Sequence, residues 1–91
     1  MEAWNELFGP LVEDGRVGSR HISTFLALLQ LRERHGGPGP FFIKRGEIMR
    51  MGKLKGEGTY YRVMRELDEW GYIEYWPSNR KEGRSKVFLV G

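Results

Sequence analysis

The chain has 91 residues, which is enough for one domain with a single modest core. It contains no cysteine, which excludes disulfides and thiolate metal sites. Its longest apolar run, residues 25–29, is far shorter than the roughly 20 residues of a membrane helix, so we expect a cytoplasmic protein without a membrane segment. The formal charge of +3 and the pI of about 9.4 are compatible with a polyanionic partner.

The charge is distributed unevenly along the chain. Residues 1–18 carry a net charge of −3, whereas residues 44–91 carry +4. Within the second part, residues 44–55 hold five bases and one acid, and residues 80–86 hold four bases and one acid. Two short basic clusters therefore flank the central segment, residues 58–70.

The N-terminal residues 1–18 predict a short helical arm, broken at Gly9-Pro10. Its apolar edge would consist of Trp4, Leu7 and Phe8. Large apolar side chains on an acidic arm must cover something. We expect the domain's own core, and a homodimer through this arm is the alternative.

Residues 19–35 predict a helix that is apolar on most sides and therefore the most buried of the fold. A loop of glycine and proline, residues 36–40, ends this helix. The short apolar segment 41–43 then predicts a small strand or an extended stretch.

The segment 58–70 has apolar residues three and four positions apart, a spacing typical of a core-facing helix. These residues are Tyr60, Val63, Met64, Leu67 and Trp70. Its other face carries Arg62 and Arg65 near the start. Cations there interact unfavourably with the helix dipole, at a cost of roughly 0.3–1 kcal/mol each. This cost indicates a compensating gain, such as contact with phosphates or base edges. A short helix over 44–51 and a glycine-rich turn over 52–58 come before it, which together make a helix-turn-helix arrangement.

Residues 72–76 and 85–90 alternate in the manner of paired strands and predict a C-terminal hairpin. The tip between them holds the basic residues Arg80, Lys81 and Arg84. Like charges on a short exposed loop repel one another unless something negative lies there.

Residues 19–90 resemble a winged helix-turn-helix domain of the bacterial regulator type. The resemblance rests on Thr59 early in the recognition helix, a leucine eight residues later, a glycine four residues after that and an apolar pair that opens the wing. These later residues are Leu67, Gly71, Tyr72 and Ile73. The turn 52–58 is about a residue longer than the usual pattern and richer in glycine. The aromatic segment before the basic tip is also similar to small DNA-binding proteins of bacterial mobile elements.

The resemblance implies an α+β fold, with a three-helix core and a C-terminal β-hairpin wing in residues 19–91 and a short N-terminal helical arm in residues 1–18. It implies sequence-specific binding of double-stranded DNA by a small transcriptional regulator. The recognition helix, about 58–70, would enter the major groove, and the wing, 77–86, would follow the backbone or the minor groove. No cofactor or small-molecule ligand is expected.

The resemblance also assigns three groups of contacts. Base edges would be contacted by Thr59, Tyr61, Arg62 and Arg65. Arginine is shaped to hold guanine O6 and N7 bidentately, which favours the two arginines for specificity. The DNA backbone would be contacted by Arg45, Arg50, Lys53 and Lys55. The wing contacts would come from Arg80, Lys81, Arg84 and Lys86.

Three other functions compete with duplex binding. Catalysis is not expected, because His21 and His35 lie near no serine or acid arrangement of the usual kind. The main alternative is a winged helix used as a protein–protein interaction module in a larger complex, favoured by the exposure expected for some of Tyr61, Tyr75 and Trp76. RNA binding is a third, because aromatic residues beside arginines stack unpaired bases, although the usual sheet-borne aromatic motifs are missing.

Overall fold

The computed structural model describes residues 2–78 and 84–90, and the side chains from residue 6 onward within them. These ranges form four helices and a three-stranded antiparallel sheet, which confirms the expected α+β class. In chain order the elements are α1 (Glu2–Glu13), α2 (Ser19–Arg34), β1 (Phe41–Ile43), α3 (Arg45–Met51), α4 (Glu57–Glu69), β2 (Ile73–Trp76) and β3 (Ser85–Leu89). Within the described ranges, none of the helices has the length and apolar character needed to span a membrane.

The predicted break at Gly9-Pro10 is wrong, because α1 continues through Pro10 to Glu13. Leu7 and Leu11 lie one turn apart on this helix and are 5% and 0% exposed. Burying a leucine contributes about 1.5–3 kcal/mol, so the two together match or exceed the roughly 3 kcal/mol that proline costs inside a helix. Packing against the rest of the domain therefore holds the last turn of α1 in place.

The core lies around α2, as its apolar sequence predicted. Its buried residues are Thr24, Phe25, Ala27, Leu28, Leu29, Leu31 and Arg32. Leu7 and Leu11 of α1 belong to the same apolar cluster as the α2 residues. Leu7 and Leu11 thus cover the domain's own core, as expected, whereas Phe8 is half-buried, Val12 is exposed and the side chain of Trp4 lies outside the described ones.

The sheet has the order β1-β3-β2, with β3 in the centre and paired antiparallel to both neighbours. Alternate residues, among them Ile43, Ile73 and Val87, are buried on the face that meets the helices. Phe42 and Trp76 alternate with these and lie on the outer face of the sheet. The predicted hairpin strands are confirmed, whereas Arg80 and Lys81 lie outside the described residues.

Helix α4 buries the predicted stripe, since Tyr60, Val63, Met64 and Leu67 are all inaccessible. Trp70, the fifth predicted member, is half-buried, and its ring centre lies 4.9 Å from that of His21. This helix begins at Glu57, one residue before the predicted start. Burial of the stripe fixes which side chains of α4 face solvent.

Candidate nucleic-acid interface

The solvent face of α4 carries the two arginines favoured for base recognition. Arg62 and Arg65 are both exposed, and Thr59 is half-buried at the start of the helix. No hydrogen bond or ion pair to a described residue holds Arg62. The Arg65 Nε lies 3.8 Å from the Glu69 Oε1, and both side chains are exposed. Exposed pairs of this kind contribute about 0–1 kcal/mol, so Arg65 can leave Glu69 for a stronger partner at little cost.

Arg45 and Tyr61, assigned to different contacts by the sequence, are bound to each other. The Arg45 Nη1 donates a hydrogen bond to the Tyr61 Oη at 2.8 Å, and the Arg45 Nη2 lies 3.2 Å from the Glu57 Oε1. The hydrogen bond to Tyr61, followed by the charge of Glu57, raises the pKa of Arg45. The pair links the start of α3 to the first turns of α4. In the unbound protein these two side chains therefore already have partners.

The turn between α3 and α4 presents further positive charge. Arg50, Lys53 and Lys55 are exposed around it, and Leu54 is buried between the two lysines. Lys53 adopts a left-handed backbone conformation, with φ of 59°. The exposed bases at the end of α3, in the turn and on α4, namely Arg50, Lys53, Lys55, Arg62 and Arg65, are called the turn-helix surface below.

Gly52 sets the position of this turn against α2. A Cβ added there would lie 3.0 Å from the carbonyl oxygen of Ile48 and 3.3 Å from Thr24. The Ser23 Oγ donates a hydrogen bond to the Gly52 carbonyl oxygen at 2.7 Å. The absence of a side chain therefore lets the turn lie directly on α2, which fixes where α4 starts.

An open groove of ≈ 350 Å³ separates α4 from the start of the hairpin. It is lined by Tyr61, Arg65, Asp68, Glu69, Tyr75 and Pro77. The Asp68 Oδ2 accepts a hydrogen bond from the Tyr75 backbone N–H at 3.0 Å, which ties helix to strand. The groove places Pro77, where the predicted wing begins, beside Arg65.

The two described cations of the wing do not lie with the arginines of α4. Lys86 lies on the outer face of the sheet, with its Nζ 4.8 Å from the ring centre of Trp76. Arg84 is exposed and lines a smaller pocket with His35 and Lys44. The sequence analysis grouped Arg84 and Lys86 with the tip of the hairpin. In the structure, strand pairing instead places Lys86 on the face of the sheet that points away from the core.

Sequence reasoning missed a contact that positions the C-terminal half of α4. The His21 Nδ1 accepts a hydrogen bond from the Gly18 backbone N–H at 2.9 Å. The ring proton therefore lies on the His21 Nε2, which is 2.9 Å from the Glu66 Oε1 and donates to it. The histidine thus caps the start of α2 and holds α4 at once. No local pattern identifies His21 as a cap, because a capping box has Glu or Gln at that position, and nothing local identifies Glu66.

A second missed contact links α1 to the end of α4. The Tyr72 Oη donates to the Asp14 Oδ2 at 2.7 Å, and the Arg16 Nη2 lies 2.7 Å from the same oxygen. The Arg16 guanidinium also lies 4.9 Å from the ring centre of Trp70. The hydrogen bonds from Arg16, and then that from Tyr72, hold the pKa of Asp14 well below its usual range.

Comparison with known proteins gave no match. The sequence matches no protein-family model, and neither a curated protein nor a solved structure is similar to it at a significant level. Among the described residues, no group of three or more histidines and acids is arranged to hold a metal ion. The function is therefore argued from the chemistry of the surface itself.

Proposed function

We propose that the chain is a winged helix-turn-helix protein that binds double-stranded DNA sequence-specifically. Helix α4 enters the major groove, and the β2–β3 hairpin lies along the backbone or in the minor groove. The observation that carries the proposal is the outward display of Arg62 and Arg65 on α4, directly after the exposed bases of the turn. Arginine reads guanine bidentately, and bases beside it contact phosphates and set the register.

The order of the elements supports this arrangement. Helices α2, α3 and α4 surround one core, the α3–α4 connection is a tight turn, and the hairpin follows α4 at once. A recognition helix needs one buried face and one exposed polar face, and α4 has both. Sequence-specific binding of duplex DNA fits a transcriptional regulator of the bacterial cytoplasm.

In the free protein the arginines of α4 have a weak partner or none, so both are available to DNA. Arg62 is unpaired among the described residues, and Arg65 exchanges its contact with Glu69 for a base or a phosphate. Arg45 reaches a phosphate only if it leaves Tyr61 and Glu57, so it contributes less than the lysines of the turn. The turn-helix surface supplies the main part of the affinity.

The test is binding to a random-sequence duplex across a salt series, followed by selection of tight binders from the same pool. The logarithm of affinity should fall linearly with the logarithm of salt concentration, by about 0.9 for each phosphate neutralised. The selected sequences should share a guanine-containing motif. Absence of duplex binding even at low salt would overturn the proposal.

A homodimer through α1 would double the base contacts and is part of the proposal. Leu7 and Leu11 are already buried in the domain, so among the described side chains of α1 the large apolar ones left for a second copy are Val12 and the half-buried Phe8. A dimer predicts two half-sites in the selected motif and a mass in solution of two chains. A single half-site and a monomeric mass would remove it.

The protein–protein interaction module remains the second candidate, because the groove beside α4 has largely apolar walls. Tyr61, Tyr75 and Pro77 contribute to them, and the charged residues Arg65, Asp68 and Glu69 also line the groove, with one more acid than base. Such a groove suits an apolar segment with a basic residue. If the duplex fails to bind, this groove is the surface on which a partner should be sought.

A further inference from the structure

The outer face of the sheet carries large aromatic side chains that the fold leaves uncovered. Phe42 is 55% exposed and Trp76 is 46% exposed. Both pair with Lys86, Phe42 from one side and Trp76 from the other, so the three residues form a row across the sheet. Phe88, half-buried, lies two residues along β3 on the same face, opposite Glu74. The row Phe42, Lys86 and Trp76 is called the sheet row below.

The spacing of the sheet row suits an extended strand of nucleotides. Neighbouring strands lie about 4.8 Å apart, so the two aromatic residues are separated by about 10 Å, with a cation between them. The Lys86 Nζ lies 4.8 Å from the ring centre of Trp76. Flat bases can stack on the two rings while the ammonium group meets the phosphate that joins them.

A basic pocket of ≈ 210 Å³ adjoins one end of the sheet row. Phe42 belongs to both, and the pocket is further lined by His35, Lys44, Glu47 and Arg84. Lys44 and Arg84 are exposed, and no described residue forms an ion pair with either of them. The acid Glu47 is half-buried. This end of the face therefore has cations available for a phosphate, whereas Glu74 makes the other end acidic.

We propose that the outer face of the sheet binds single-stranded DNA. Bases stack on Phe42 and Trp76, and the sugar-phosphate backbone passes Lys86 toward Lys44 and Arg84. The choice of DNA over RNA rests on the proposed function, which already places the chain on DNA. The stacking does not depend on it, because Phe42 and Trp76 lie on a face of the sheet distinct from the turn-helix surface.

Charge argues against a second copy of this chain as the occupant. A symmetric dimer packs the same patch of each copy against the other. On this face it would bring Lys86 and the cations of the pocket close to the same cations of the second copy. Like charges repel most strongly where water is excluded. An anionic occupant with flat apolar groups satisfies both the rings and the cations.

The test measures binding of the full-length protein to a labelled oligothymidine by fluorescence anisotropy. Phe42→Ala and Trp76→Ala should each weaken binding about tenfold, since stacking of one base is worth about 1–3 kcal/mol. Trp76→Phe keeps an aromatic ring and should retain most of the affinity. Gln30→Ala changes an exposed side chain of α2 that has no part in either proposed site, and it should leave the affinity unchanged.

A charge variant makes the test independent of any effect of the alanine variants on folding. Lys86→Gln should reduce the salt dependence of oligothymidine binding by about 0.7, the slope expected for one phosphate of a single strand. An unchanged slope would argue against the path of the backbone. Failure of the wild-type protein to bind oligothymidine would overturn the proposal.

Comparison of ligands separates this proposal from duplex binding. Phe42→Ala should not alter duplex affinity, and Arg62→Ala should not alter oligothymidine affinity. A wild-type protein that binds the duplex but not oligothymidine overturns this inference, whereas one that binds oligothymidine but not the duplex overturns the proposed function. Binding of oligouridine RNA as tightly as oligothymidine would overturn the assignment to DNA. The protein could also prove to be a dimer that Phe42→Ala makes monomeric without a change in oligothymidine affinity. That result would overturn the proposal and identify the face as an interface between copies.

Discussion

Arg62 and Arg65 occupy successive positions on the solvent face of α4 but differ in their surroundings. Arg65 has Glu69 at 3.8 Å, whereas no described residue holds Arg62. Arg62 is therefore free to adopt the extended rotamer that reaches a base edge. Under the proposed function it should contribute most of the base preference.

We predict that Arg62→Ala weakens binding to the selected duplex by about 1–3 kcal/mol and relaxes the preference at one base pair. The reason is the loss of a bidentate contact with guanine. Competition between the selected duplex and single-base variants of it measures both effects. The matched control is Arg34→Ala, which removes the same charge from an exposed position in the last turn of α2. Equal losses in the two variants would show that Arg62 acts only through its charge.

At the same scale, Asp14 joins the loop after α1 to Tyr72, the residue that precedes β2. Its carboxylate accepts hydrogen bonds from Arg16 and from the Tyr72 hydroxyl, and these lower its pKa. A carboxyl group whose pKa is lowered by folding stabilises the protein above its unfolded pKa of about 3.9. That contribution disappears as the pH falls through the lower, folded value.

We predict that Tyr72→Phe raises the pKa of Asp14 toward its usual value, because one donor to the carboxylate is lost. The variant should be less stable than the wild type at about pH 7 and should lose less stability on acidification to about pH 2. Titration of the Asp14 carboxyl by NMR and urea unfolding at the two pH values measure these changes. Asp14→Asn is the control, since it should abolish this part of the acid dependence. A pKa that does not move in Tyr72→Phe would exclude the hydroxyl as a cause.

At the scale of the element, the end of α4 is fixed by Gly71. Its φ of 84° is left-handed, and the Tyr72 N–H donates to the Leu67 carbonyl oxygen at 2.9 Å while the Gly71 N–H donates to that of Asp68 at 3.0 Å. This is the Schellman arrangement, which favours glycine because side chains strain a left-handed residue. The glycine turns the chain from α4 into β2.

We predict that Gly71→Ala lowers the free energy of unfolding by about 1 kcal/mol or more, because alanine is strained at positive φ. Gly58 lies inside α4, and a Cβ there would meet nothing within 4 Å. Gly58→Ala should therefore raise the free energy of unfolding by about 0.5–1 kcal/mol. Urea unfolding of the two variants measures both. Changes of the same sign would contradict the conformations assigned to these glycines.

At the scale of the whole molecule, α1 is part of the core and more than an arm. Leu7 and Leu11 pack in the same cluster as α2, and Tyr72 bonds across to the loop after α1. Removal of residues 1–18 would therefore expose the face of α2 that they cover. A change of mass after such a truncation would not by itself identify a dimer interface.

We predict that Leu11→Ala lowers the free energy of unfolding by about 2–5 kcal/mol, because it leaves a cavity at a fully buried site. Small domains have about 5–15 kcal/mol in total, so the loss should be plain in urea unfolding. Val12→Ala, at the adjacent exposed position, is the control and should change stability by less than about 0.5 kcal/mol. A Leu11→Ala variant as stable as the control would show that α1 does not pack as described.

Local patterns were sufficient to predict most of the elements. The spacing of Tyr60, Val63, Met64 and Leu67 predicted α4, and the glycine and proline of residues 36–40 predicted the end of α2. The continuation of α1 through Pro10 was not predictable, because local rules disfavour it and burial against α2 outweighs them. The partners of Asp14 and His21 were likewise hidden, since Tyr72 and Glu66 lie far along the chain.

The candidate sites divide in the same way. The helical period of residues 58–70 is enough to place Arg62 and Arg65 on an exposed face. The engagement of Arg45 with Tyr61 depends on how α3 packs beside α4. The sequence offered no sheet-borne aromatic motif, yet the register of β1, β3 and β2 sets Phe42 and Trp76 on either side of Lys86.

The amino-acid sequence by itself determined the class of the fold, the exposed arginines of α4 and the buried character of α2. These follow from backbone periodicity and hydrophobic burial, which act over a few neighbouring residues. Only the tertiary structure decided that α1 belongs to the core, that His21 and Asp14 hold α4 and the strand after it, and that one face of the sheet combines aromatic rings with cations. Those features depend on contacts between segments distant in the chain, and such contacts are set by the packing of the whole domain.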